Sequence, residues 1–103
     1  MFTHVIMLHL DAAAGPETVR AVVEGLHGLA GQIPGLASVR TGQDLGLAAG
    51  NADLVALLEF ESEASWRAYG AHPAHRSLVS EVIAPVLVGK AAIQVSALNE
   101  APG

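Results

Sequence analysis

Apolar and polar positions alternate from the start of the chain. Phe2, His4, Ile6, Leu8 and Leu10 fall on one side, and Thr3, Val5, Met7 and His9 on the other. A period of two is a strand, and because both sides are mostly apolar this strand is covered on both faces. After a turn over 11–15, Pro16 suits a first helical turn, where a backbone N–H has no partner anyway, and Glu17 complements the positive helix end. Val19, Val22, Val23, Leu26, Leu29, Ala30 and Ile33 then recur at helical spacing. They predict an amphipathic helix that Pro34-Gly35 stops.

Residues 36–45 predict a second strand, partly exposed because Ser38, Arg40, Gln43 and Asp44 interrupt it. Small residues over 46–51 form a hairpin connection to a third strand over 52–60, with Leu54, Ala56, Leu58 and Phe60 on one face. Ser62 is an N-cap whose hydroxyl can accept from a free backbone N–H, and Glu63 opens the first turn. A helix over 64–70 breaks near Gly70 and Pro73, resumes over 73–82 and ends at Pro85. A fourth strand spans 91–98. The order β-α-β-β-α-β predicts an α+β, ferredoxin-like βαββαβ subunit. A chain of 103 residues holds one core, assigned to residues 1–99 with a short tail over 100–103.

Composition narrows the partners. The chain is 51% apolar and only 15% charged, so apolar surface is left over for an oligomer interface or an internal cavity. The net charge of −5 and the lack of any basic cluster argue against nucleic acid and against anionic membranes. No apolar run is long enough to span a bilayer. Without cysteine there is no disulfide, thiolate nucleophile or thiolate metal site. No leader is recognisable at the N-terminus, and a cytoplasmic protein is expected.

The chemistry gathers in Tyr69-Gly-Ala-His72-Pro-Ala-His75, which holds the one tyrosine and two of the five histidines. A neutral imidazole is a general base at neutral pH, and a phenol beside it can donate to an oxygen that gains charge as an adjacent C–H bond breaks. A second reading has Tyr69 and His75 tie the helix junction to the sheet, since buried tyrosine and histidine normally find partners. His72 precedes a proline and is biased toward extended backbone, which suits a cap or a pocket rim. His4 is either a satisfied core residue or a pocket group. His9 faces the opposite side of its strand, toward a dimer interface, and His27 lies off the apolar stripe, toward solvent. Trp66 packs over the sheet. His4, His72 and His75 lack a carboxylate spaced to complete a metal site, so neither metal nor cofactor is expected.

The runs His4-Val5-Ile6-Met7-Leu8, Ile33-Pro34-Gly35-Leu36 and Leu58-Glu59-Phe60-Glu61-Ser62, followed by Tyr69-x-x-His72-Pro73-x-His75, resemble the stress-responsive dimeric α/β-barrel (Dabb) family in order and over nearly the whole chain. The resemblance implies a homodimer whose two sheets close into a barrel, with a pocket between each sheet and its helices. One branch of that family is similar to plant polyketide cyclases of the olivetolic acid type. By that likeness His75, Tyr69 and His4 are the catalytic positions for an aldol-type ring closure, isomerisation or dehydration of a small hydrophobic carbonyl compound. Ile6, Leu8, Val23, Leu26, Val39 and His72 are the expected substrate contacts. The cyclases line their pocket with aromatic residues from the first helix, where this chain has Val22, Val23 and Leu26, so their substrate does not carry over. The same resemblance admits a stress-responsive ligand-binding barrel without catalysis and, more remotely, heme or metal handling.

Overall fold

A computed structural model describes residues 1–102. Four strands, β1 (Phe2–Leu10), β2 (Leu36–Gln43), β3 (Leu54–Phe60) and β4 (Leu87–Val95), form one antiparallel sheet in the order β2-β3-β1-β4. The helices are α1 (Pro16–Gly28), α2 (Glu63–Ala71) and α3 (Pro73–Leu78). Each half of the chain is a β-α-β crossover that skips one strand, which puts β1 and β3 at the centre and makes the molecule ferredoxin-like, as its element order predicts. Of the expected tail over 100–103, Gly103 lies outside the described residues.

The register explains which side chains meet. His4 pairs with Leu58 on β3 and with Gln94 on β4, and Leu8 pairs with Leu54 and Lys90. Partners directly across a sheet share a face. Leu8, Leu54, Ala56, Leu58 and Phe60 are buried against Val22, Leu26 and Leu29 on one side. The other face carries Val5, Met7, Leu57 and Ile93. Among the described residues no element covers it, and Met7 and Ile93 are exposed.

The expected strands over 36–45 and 52–60 are each two residues shorter, and three other elements differ more from the sequence expectation. The α-helix ends at Gly28 and tightens into a 3₁₀ turn over Leu29–Gly31, so Leu29 and Ile33 still reach the core without a continuous helix. Gly25, Gly28 and Gly31 weaken the helical hold of that stretch. The second helical segment does not end at Val82. After α3 it widens into a π-helical turn over Val79–Ile83 and closes as a 3₁₀ turn over Ala84–Val86 that contains Pro85. The fourth strand consequently begins at Leu87, four residues before Ala91, and ends at Val95. A backbone bond from Asp11 N to Val86 O sets its start.

Two glycines mark close approaches. Gly35, at φ +80°, turns the chain into β2, and a Cβ there would overlap the Ser65 side chain. At Gly25 a Cβ would overlap a methyl of Leu78, so α1 and the second helical segment touch at that point.

Candidate active site

Ser62 opens α2 as expected, its hydroxyl accepting from Ser65 N. α2 runs two and a half turns to Ala71. His72 then adopts extended backbone, as a residue before proline should, and its Nδ1 accepts from Ala74 N to start α3. This one-residue joint holds two short helices over the sheet and brings Tyr69, from the end of the first, onto His75, in the first turn of the second. Their ring centroids are 4.1 Å apart. Tyr69 also rests on Phe60 at 5.1 Å, and the His4 ring meets its edge at 6.1 Å.

These rings line a cavity of about 90 Å³ between sheet and helices. β1 supplies His4, Ile6 and Leu8, and α1 supplies Leu26. Leu78, Val79 and Ile83 close it from the second helical segment, and Leu87 and Lys90 from β4. The walls are apolar apart from Tyr69, the two imidazoles and the ammonium. Of the side chains expected from the sequence, His4, Ile6, Leu8, Leu26, Tyr69 and His75 come together here. Val23, Val39 and His72 do not line the cavity. Val23 packs on the core next to Val22, Val39 stands on β2 opposite Leu58 at the far side of the sheet, and the His72 ring is committed to its cap.

The sequence reading missed Lys90 and Gln94. Both lay near or within the misplaced fourth strand; β4 begun at Leu87 takes in Lys90, and its pairing with β1 puts Lys90, Ala92 and Gln94 on the face of His4. Gln94 Nε2 donates to His4 Nδ1 at 2.9 Å, which leaves the His4 proton on Nε2. His75 Nδ1 donates to the Gly70 carbonyl at 3.3 Å, which leaves Nε2 as its basic nitrogen. The two rings therefore hold opposite tautomers.

Burial is the main force on all three groups. Desolvation lowers the His4 pKa, and the positive charges that His75 and Lys90 can carry lower it further. His75 is lowered by desolvation, a shift the Gly70 carbonyl opposes and Lys90 reinforces. Tyr69 is pushed up to about 12, again by burial. At neutral pH the site thus holds two neutral imidazoles and a protonated phenol. Tyr69 is 5% exposed, yet among the described residues its hydroxyl has no hydrogen-bond partner, and it is not a sealed polar orphan. Trp66 leans over His4 and Phe2 at 5.9 and 5.3 Å and shields this end of the strand. His27, on the outer side of α1, bonds Thr41 instead. Among the described residues no group of three or more His, Asp or Glu could hold a metal ion, and no helix is long and apolar enough to cross a membrane.

Solved structures share this architecture. A dimeric ferredoxin-like protein of unknown function from Thermobifida fusca is 35% identical, with a TM-score of 0.79 over 91% of this chain and 88% of its own. A protein from Arabidopsis thaliana is 21% identical, with a TM-score of 0.84 over 99% and 100%. The hydroxynitrile lyase of Passiflora edulis is 14% identical, with a TM-score of 0.83 over 98% and 96%. No curated protein matches the sequence. The stress responsive A/B barrel domain, Dabb, matches over residues 2–96, and with that match, the strand order and the Tyr69–His75 junction in place, the chain belongs to the Dabb family.

Proposed function

We propose that the chain is a cofactor-independent acid–base enzyme acting on a small carbonyl compound. One observation carries this reading: the rings of a neutral imidazole and a protonated phenol meet at 4.1 Å between centroids in an apolar cavity, and among the described residues the phenol hydroxyl has no partner. His75 Nε2 takes a proton from the carbon next to the carbonyl. The electron pair moves onto the carbonyl oxygen, where the Tyr69 O–H donates to it. His4, its proton held on Nε2 by Gln94, supplies a second donor that orients the substrate. The imidazolium of His75 then returns the proton to carbon for an isomerisation, to the hydroxyl that departs as water for a dehydration, or to the newly formed alkoxide for an aldol-type closure. Exclusion of water strengthens each of these interactions.

A structural relative that bears the name hydroxynitrile lyase supports chemistry on this fold. The polyketide cyclase version of the reading fits less well, because about 90 Å³ is well short of the usual ligand pocket. The open sheet face, with Met7 and Ile93 exposed, is the surface on which we place the homodimer, and the relative from Thermobifida fusca is described as dimeric.

The test is exchange of carbon-bound hydrogen in heavy water, followed by proton NMR on a panel of short ketones and aldehydes. The wild type should accelerate exchange next to the carbonyl, and Tyr69→Phe and His75→Ala should each remove most of that acceleration. If a ligand binds and no member of the panel exchanges, the barrel is a binding protein and the enzymatic assignment is wrong.

A further inference from the structure

Lys90 is the only lysine in the chain. Two of the four arginines are spoken for by carboxylates, Arg40 by Glu59 and Arg67 by Glu63, whereas Lys90 has no such partner among the described residues. It stands opposite Leu8 on the helix-covered face of the sheet and lines the cavity, yet its side chain remains exposed, which places it at the mouth. Its charge is felt at both His4 and His75. In a protein of net charge −5, a lone unpaired cation at the entrance to an apolar chamber is out of keeping with packing alone. An ammonium there costs the chamber part of its apolar character and disfavours the protonated form of both imidazoles.

We propose that the cavity takes a short oxo acid, its carboxylate bound by Lys90 at the mouth and its carbonyl directed inward to Tyr69. The placement of the carbonyl rests on the acid–base reading; the recognition of the carboxylate does not. The ammonium is a compact charge with three donors, suited to holding a carboxylate without fixing its plane. A volume of about 90 Å³ restricts the acid to a short chain. The same ammonium favours the neutral, proton-accepting form of His75, so substrate binding and the availability of the base share one group.

The experiment measures dissociation constants by NMR titration for 2-oxobutanoate, 3-oxobutanoate and 4-oxopentanoate, each beside its methyl ester. At least one acid should bind about tenfold or more tightly than its ester, the low end for a hydrogen bond to a charged group. Lys90→Met should bring that ratio close to one, and Lys90→Arg should keep most of it. Because Lys90 is exposed, both variants should melt like the wild type; should Lys90→Met not fold, Lys90→Gln replaces it. Equal binding of every acid and ester, no binding by any acid, or a preference that survives loss of the lysine overturns the proposal. A lysine-dependent preference without hydrogen exchange would keep it and reject the acid–base enzyme. Exchange that ignores the carboxylate would do the reverse.

Discussion

Two hollows of the molecule differ in kind, and the larger of the pair is the less informative. The wider one, about 460 Å³, lies at the β2–β3 end of the uncovered sheet face, lined by Met7, Asp44, Asn51 and Val55 with Leu45 and Leu47 on its rim. Leu45 and Leu47 are 83% and 84% exposed. Its polar groups are occupied in shaping the loop: Asp44 accepts from Gly46 N and from Asn51 Nδ2. The smaller hollow has a fifth of that volume, yet four of the side chains around it can move or attract a proton or an anion, and three have shifted proton affinity. Volume alone would select the opposite end of the sheet from the proposed site. The clustered, desolvated titratable groups favour the other.

This contrast can be broken most directly by activity. His75→Ala and Tyr69→Phe should lower turnover by about 10²- to 10⁴-fold, the range for a positioned proton-transfer group, while Leu45→Ser and Leu47→Ser leave it unchanged in steady-state assays. A reversed pattern would move the chemistry to the wide hollow. Phe60→Ala, beneath Tyr69, should destabilise the fold by about 3–5 kcal/mol in chemical denaturation, since Phe60 is fully buried and supports the ring.

A finer test uses pH. Because His75 titrates below the ordinary histidine value of 6.5, the acid limb of the rate profile should lie below pH 6.5. Lys90→Met should move that limb upward by removing a neighbouring positive charge, and His4→Gln should move it far less. Folding responds with the same sign. Both imidazoles are lowered in the native state, so their contribution to stability is complete above pH 6.5 and is lost as pH falls through the native values. Thermal melts of wild type and His4→Gln between pH 7.5 and 5 should converge as the acid is added. The smallest effect is at the cap: Ser62→Ala should cost about 1 kcal/mol.

Where local patterns govern, the sequence is readable. The alternation from Phe2 to Leu10 predicts β1 to the residue, because both sheet neighbours reinforce it. The run Ser62 to Pro73 predicts a capped helix, a break and a restart, because hydroxyl capping and the proline ring act over a few bonds. The stretch after Leu78 is different. A π-helical turn has no periodic signature, and it forms here where Val79 and Ile83 are accommodated over the sheet. The resulting shift of β4 conceals that Lys90 lies in the strand and that the register on β1 sets Lys90 opposite Leu8 and Gln94 opposite His4. Half of the site, the Tyr69–His75 pair, is written locally; the other half depends on how many residues the irregular turn consumes before β4 begins. Val39 shows the converse error: an apolar residue on the correct face can still stand two strands from the chamber.

Gly25 carries a consequence for the history of such a chamber. It does not line the cavity, but the space its missing methyl leaves is filled by Leu78, which does. A single codon change to alanine would press that leucine toward Tyr69 and His75, leaving every reacting atom in place and altering only the room around them. Under the proposed reaction, substrate range can therefore drift along α1 while the chemistry stays constant, and two lineages with the same tyrosine and histidines need not share a substrate.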